Sequence, residues 1–338
     1  MRNLSFFLLS FCIHFSIWSQ NGFETKYPNI PRIDVHSHAG GDITSAKNYI
    51  NVRNWLKSNG NINVTNWINL GNREFPIQSF DEINEVSENR MLFAKGNYAP
   101  NNLTSEFDQA TIKELKDQGY IGYKLWFGPY QRRFGDQLKD TLKYVNDERL
   151  STFFKALYKH DFPLTSLHIA DPNGVYGDRT KWFSDPVEFW RNVRAFEDLL
   201  KDNPDIVVLT AHGVWLMVQD AQLDYLRYLL ASYPNFYIDL AATYQYFNRV
   251  NRDNLRDLII NYSDRILFAT DVGTISDDSI ERIGYSYMRC FEILETDNMV
   301  EGGFFGTTPL KGLLLPEKTL EDIYYKNAMR LFPSLKVH

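Results

Sequence analysis

Cysteine is almost missing from this chain, with only Cys12 and Cys290 among 338 residues. Two cannot build a disulfide framework, so stability rests on a packed core. A strong excess of one charge is missing too. Lys plus Arg number 36 against 42 Asp plus Glu, a net charge of −6. That balance gives no electrostatic reason to hold nucleic acid or an anionic membrane. Linkers rich in Pro, Gly or Ser are absent, as are low-complexity stretches, so one domain is the simplest organisation. Mixed charge and an aromatic content of 15 % exclude a disordered chain. Beyond residue 20 no run is apolar enough to cross a bilayer, which takes about 20 apolar residues.

The first twenty residues stand apart. Met1-Arg2-Asn3 is a positive start, an apolar run extends from Leu4 to Trp18, and Ser19-Gln20 closes it. This is the pattern of a secretory signal peptide. It predicts an exported protein, periplasmic or secreted, without an integral membrane span once the signal is cleaved. Cleavage would also remove Cys12 and leave Cys290 without an internal partner.

What the remaining chain does have is a repeated alternation of strand and helix. Apolar runs bounded by turns predict eight strands, at 31–36, 62–70, 91–98, 120–126, 163–169, 206–212, 235–240 and 265–270. Amphipathic stretches at 106–118, 148–159, 185–201 and 220–232 predict helices between them. Gly119 is a C-terminal stop for the first of these, and Asp185-Pro186 is a cap followed by proline at the first helical position. A closing helix is expected near 319–331. The sixth run, Ile206-Val207-Val208-Leu209, is apolar at consecutive positions, as in a parallel strand covered on both faces. Eight such units in about 300 residues predict an α/β fold, a single (β/α)8 TIM barrel over residues 21–338. The competing open, doubly wound sheet would place a Gly-rich phosphate turn after its first strand. Here that strand runs into His36-Ser37-His38 instead.

Barrel enzymes of this kind carry their chemistry at the C-terminal ends of the strands. Seven histidines exist. His14 lies in the leader, His160 closes a predicted helix and His338 ends the chain. The other four, His36, His38, His168 and His212, all fall at predicted strand C-termini. Asp271 follows strand 8 and Lys124 lies in strand 4. Residues i and i+2 of a strand share a face, so His36 and His38 can face one point. Two imidazoles, a third from strand 5 and a carboxylate from strand 8 suit Zn²⁺, or with less selectivity Mn²⁺, Fe²⁺ or Ni²⁺.

These residues bring a resemblance with them. Ile33-Asp34-Val35-His36-Ser37-His38, Leu167-His168-Ile169-Ala170-Asp171-Pro172, Leu209-Thr210-Ala211-His212-Gly213 and Phe268-Ala269-Thr270-Asp271 resemble the amidohydrolase superfamily. The branch is amidohydrolase-2, which includes aminocarboxymuconate-semialdehyde decarboxylase. The resemblance spans roughly residues 30–332. It implies that His36, His38 and His168 bind a divalent metal, zinc before manganese or iron, and one ion rather than two. It implies that Asp271 is a further ligand and the proton-handling base. It also implies that His212 approaches the reacting water or polarises the substrate. Lys124 has three readings: a carboxylated bridge between two metals, a free ammonium gripping a substrate carboxylate, or a packed, ion-paired lysine. Trp126, and Arg179 in the loop after strand 5, are candidate substrate-binding residues.

The expected function is therefore metal-dependent hydrolysis of an ester, lactone or amide of a small polar molecule. The alternative on the same residues is a non-oxidative decarboxylase, a carbon–carbon lyase. A third reading is a catalytically silent binding barrel, for which a full ligand set would be superfluous. The expected partner is a small-molecule substrate, with room for a homodimer.

Overall fold

The computed structural model describes residues 22–71, 80–97, 109–127, 144–170, 186–301 and 309–337. Eight strands lie in sequence order in one sheet. They are β1 (Arg32–Ser37), β2 (Val64–Leu70), β3 (Met91–Asn97), β4 (Tyr123–Trp126), β5 (Leu164–His168), β6 (Val208–Thr210), β7 (Phe236–Asp239) and β8 (Ile266–Leu267). Every pairing from β1·β2 to β7·β8 is parallel. Parallel strands need crossovers, and helices supply them. These are α1 (Ile43–Gly60), α2 (Phe80–Val86), α3 (Gln109–Asp117), α4 (Ser151–Lys159), α5 (Pro186–Asp202), α6 (Asp220–Ser232), α7 (Arg252–Asn261) and α8 (Ile280–Glu295). A short antiparallel pair, β9 (Met299–Val300) and β10 (Leu310–Lys311), follows. The chain then forms α9 (Glu317–Glu321), a π-turn (Asp322–Lys326) and α10 (Asn327–Leu331). The fold is a (β/α)8 TIM barrel in one domain.

Local chemistry sets the helix ends. Asp42 accepts from the Thr44 N–H to cap α1, and Asn61 ends it in the left-handed region at φ 53°. Asn251 caps α7 through the Asp253 and Asn254 N–H groups. Gly119 at φ 96° follows α3, where a side chain would be strained.

The strands are buried on both faces. Outward residues such as Trp67, Phe93, Phe236 and Phe268 join the helix faces in the larger core. A second cluster gathers Ile33, Val35, Ile68, Leu209, Leu267 and Ala269 with Ala328, Phe332 and Leu335 of the C-terminal segment. That segment plugs the barrel opposite its functional end. Below β1, Arg32 and Glu295 form a fully buried ion pair at 2.7 Å. The guanidinium lies 4.9 Å from the ring centres of both Phe291 and Tyr324.

All the expected strands but the first come out shorter, the sixth and eighth most of all. The sixth stops at Thr210 rather than 212, because residues 212–215 take positive φ. The eighth pairs only over Ile266–Leu267, yet the barrel still closes. The Val35 N–H donates to the Phe268 carbonyl (3.1 Å), the Asp271 N–H to the His36 carbonyl (2.9 Å) and the His38 N–H to the Val272 carbonyl (2.7 Å). The Phe268 N–H in turn donates to the Ile323 carbonyl inside the π-turn. A regular helix would have used that carbonyl itself, which accounts for the turn at this place.

Candidate metal centre

The functional end of the barrel holds a tight set of side chains. One ligand atom each from His36, His212 and Asp271 lies within 4.8 Å of the other two. Asp271 Oδ1 is 3.3 Å from His36 Nε2 and 3.2 Å from His38 Nε2. The His168 ring centre is 4.8 Å from that of His212. Lys124 Nζ, buried on β4, donates to His36 Nε2 at 3.1 Å. The four histidines and the acid, far apart in sequence, thus meet at one end of β1, β5, β6 and β8. Trp126 packs its ring 5.0 Å from His168. Arg179 lies outside the described residues.

Simple strand alternation does not produce this arrangement. Asp34 and His36 are two apart, yet Asp34 meets Tyr287 of α8 while His36 meets Asp239 at the end of β7. A register irregularity between Asp34 and Ser37 breaks the alternation. Val35 can then join the inner cluster and His36 still face the site.

Three of the four imidazoles, those of His36, His38 and His212, are held from behind. His36 Nδ1 is 2.8 Å from Asp239 Oδ2, His38 Nδ1 is 3.0 Å from the Leu70 carbonyl, and His212 Nδ1 is 2.8 Å from the Ala241 carbonyl. All three partners are acceptors, so Nδ1 carries the proton and Nε2 turns its lone pair inward. Lys124 Nζ meets the lone pair of His36, but that of His38 faces the Asp271 oxygen at 3.2 Å, and those two repel unless a proton or a further cation lies between them. Protein metal centres are built this way, so the donor set fits a divalent ion.

The electrostatics agree. Burial, and the neighbouring Lys124, lower His168 to about 3. Burial, and the neighbouring His168, lower His212 to about 3. Both rings are therefore neutral at ordinary pH, as ligation requires. For His36, burial and Lys124 push down, but Asp239 and Asp271 outweigh them and its pKa is raised. Burial pushes Asp271 up, but His36, His38 and His212 hold it well below the carboxylate range. Burial lowers Lys124 to about 8.

The backbone around His212 is strained. His212, Gly213, Val214 and Trp215 have φ of 59°, 55°, 58° and 57°, one left-handed turn. Only glycine adopts this freely, and each other residue costs about 1–2 kcal/mol. A β-branched residue such as Val214 is least suited to it. The turn stacks Trp215 on His212 at 4.6 Å. Asp271 is likewise left-handed, at φ 70°. Left-handed residues also occur elsewhere, as at Asn61, Asn89 and Asp161, but the consecutive run at 212–215 includes a candidate site residue, and such strain points to a candidate functional site.

Sequence reasoning passed over two carboxylates. Asp34 accepts from the His36 and Thr270 N–H groups (3.1 and 3.2 Å), and from the Thr270 and Tyr287 hydroxyls (both 2.5 Å). Burial raises it to about 6 despite those donors. Asp239 supports His36 and the strained turn together. The available signal was an acid inside an apolar strand, as in Ile33-Asp34-Val35 and Ile238-Asp239-Leu240.

A closed parallel barrel with imidazoles and a carboxylate at its strand ends defines a (β/α)8 protein with a candidate metal site. The family model described as amidohydrolase matches residues 97–334, and the chain belongs to that family. Membership supports a metal-dependent hydrolase. No curated protein matches the chain. Among solved structures, an amidohydrolase 2 from Bifidobacterium longum subsp. infantis is similar at 12 % identity and a TM-score of 0.46. The alignment covers 90 % of this chain and 99 % of that one. An organophosphorus hydrolase variant from Deinococcus radiodurans is similar at 11 % identity and a TM-score of 0.43, covering 90 % and 92 %. The fold assignment itself rests on the strand order and closure above.

Proposed function

We propose that this protein hydrolyses an ester, lactone or amide of a small polar molecule at a mononuclear metal centre. One observation carries the reading: inward-facing imidazole nitrogens and the Asp271 carboxylate converge at the strand ends. His36, His38, His168 and Asp271 would hold the ion, zinc before manganese or iron. A bound divalent ion supplies Lewis acidity toward water and carbonyl oxygen.

The chain's own groups do the rest. Asp271 is ionised at neutral pH and accepts a proton from the attacking water at its carboxylate. It then returns that proton to the leaving oxygen or nitrogen. Neutral His212, aimed by its left-handed turn and stacked on Trp215, turns its Nε2 lone pair to the attacking water, accepts a hydrogen bond from it and so orients it. Lys124, a buried cation below its pKa of about 8, adds positive charge beside the site. It also serves as a grip for a substrate carboxylate. Trp126 and Arg179 are the proposed substrate contacts. The leader at residues 1–20, outside the described residues, is the basis for proposing an exported protein. No helix among the described residues is long and apolar enough to cross a membrane.

The test is elemental analysis of the purified protein, then a screen of metal-reconstituted enzyme against lactones, esters, amides and carboxylic acids. Metal-dependent release of acid supports hydrolysis. Release of CO₂ instead would assign the site to decarboxylation. Absence of bound or bindable metal would point to a binding barrel.

A further inference from the structure

Asp239 ends β7 and is 1 % exposed. Its Oδ2 is 2.8 Å from His36 Nδ1. Its Oδ1 accepts from the His212 N–H at 2.8 Å and the Ala241 N–H at 3.1 Å. The Ala241 carbonyl in turn accepts from His212 Nδ1 at 2.8 Å. One carboxylate therefore touches the ring of one histidine and the backbone of another, and it fixes the carbonyl that holds the second ring.

Each contact answers a need. The ring of His36 has two neutral tautomers, and only the one protonated at Nδ1 presents a lone pair at Nε2. A carboxylate offers no proton, so it selects that tautomer. The left-handed turn at 212–215 begins at an N–H that β6 no longer pairs, and a buried N–H needs an acceptor. Asp239 supplies it.

We propose that Asp239 is a positioning residue that sets the tautomer of His36 and anchors the turn that aims His212, so that both imidazoles are installed by one group. This rests on the reading that His36 Nε2 faces a metal.

Asp239→Asn separates the two tasks. An amide has one acceptor oxygen. Two backbone N–H groups compete for it against one ring nitrogen, so the oxygen stays with His212 and Ala241. The NH₂ then faces His36 Nδ1 and donates to it. Above the Lys124 pKa of about 8 the amine 3.1 Å from Nε2 is neutral and no longer opposes a proton there, so His36 switches to the tautomer protonated at Nε2, facing Asp271 Oδ1, with the fold and turn retained.

The first readout is the ¹⁵N signature of the His36 ring in metal-free protein, at a pH high enough to leave it neutral. Parent protein should show Nδ1–H and the variant Nε2–H. The second is zinc affinity, which should fall about 10–100-fold in the variant, with little change in thermal midpoint. A His36 that stays protonated at Nδ1 in the variant would overturn the proposal, as would zinc affinity within threefold of parent. If the parent binds no zinc, the metal reading fails by itself, and the tautomer measurement still decides the role of Asp239. Should Asp239→Asn fail to fold, the parent tautomer remains a test: an Nε2–H ring there refutes the lock.

Discussion

Asp271→Asn is the perturbation that bears most directly on the proposed chemistry. The change is nearly isosteric. The backbone at φ 70° suits asparagine at least as well as aspartate, and the Asp271 N–H keeps its bond to the His36 carbonyl at 2.9 Å. The barrel should therefore fold as before. What disappears is a charge 3.3 Å from His36 Nε2 and 3.2 Å from His38 Nε2, together with the carboxylate proposed to accept the proton of the attacking water. Loss of a positioned base costs about 10²–10⁴-fold in rate, or roughly 3–5 kcal/mol of barrier. His36 loses one of the two carboxylates that raise it, so its titration should move downward. The assay pairs kcat/KM on the substrate found by the screen with metal content and a histidine NMR titration. A variant that holds metal and stays within about tenfold of parent activity would refute the assignment of Asp271 as the base.

Three further outcomes follow from the rest of the molecule. Glu295→Ala leaves Arg32 buried and without its carboxylate, which should cost about 3–5 kcal/mol in urea unfolding; a loss under about 1 kcal/mol would contradict the reading of that pair. Asp34 is raised to about 6 from 3.8, so the folded chain holds a proton that the unfolded chain releases, and stability falls as pH rises through that interval. The loss is roughly 3 kcal/mol, and Asp34→Asn should remove this part of the pH slope; an unchanged slope would show that Asp34 does not titrate there. His36→Ala should abolish turnover while leaving the far-UV spectrum unchanged, and activity within twofold of parent would count against the centre.

The barrel was legible because parallel strands buried on both faces write themselves as short apolar runs, and helices between them as amphipathic ones. The runs around Ile68, Leu167 and Val208 are of this kind. The four histidines were legible for a related reason: each polar ring interrupts or ends such a run. Strand ends were less so. Nothing in Thr210-Ala211-His212 announces a left-handed turn, since only Gly213 within it favours that backbone. The alternation rule for His36 and His38 also misses the irregularity after Asp34, which depends on pairing with β2. Asp34 and Asp239 stayed hidden because an acid in a strand gains a role only from donors brought by other strands and by α8. Tyr287, more than two hundred residues from Asp34, is such a donor.

Zinc titration of metal-stripped protein by calorimetry tests the central claim most directly. The account predicts saturable binding of about one ion per chain, lost when His36 and Asp271 are both replaced by alanine. No saturable binding, or binding unchanged in that double variant, would contradict it.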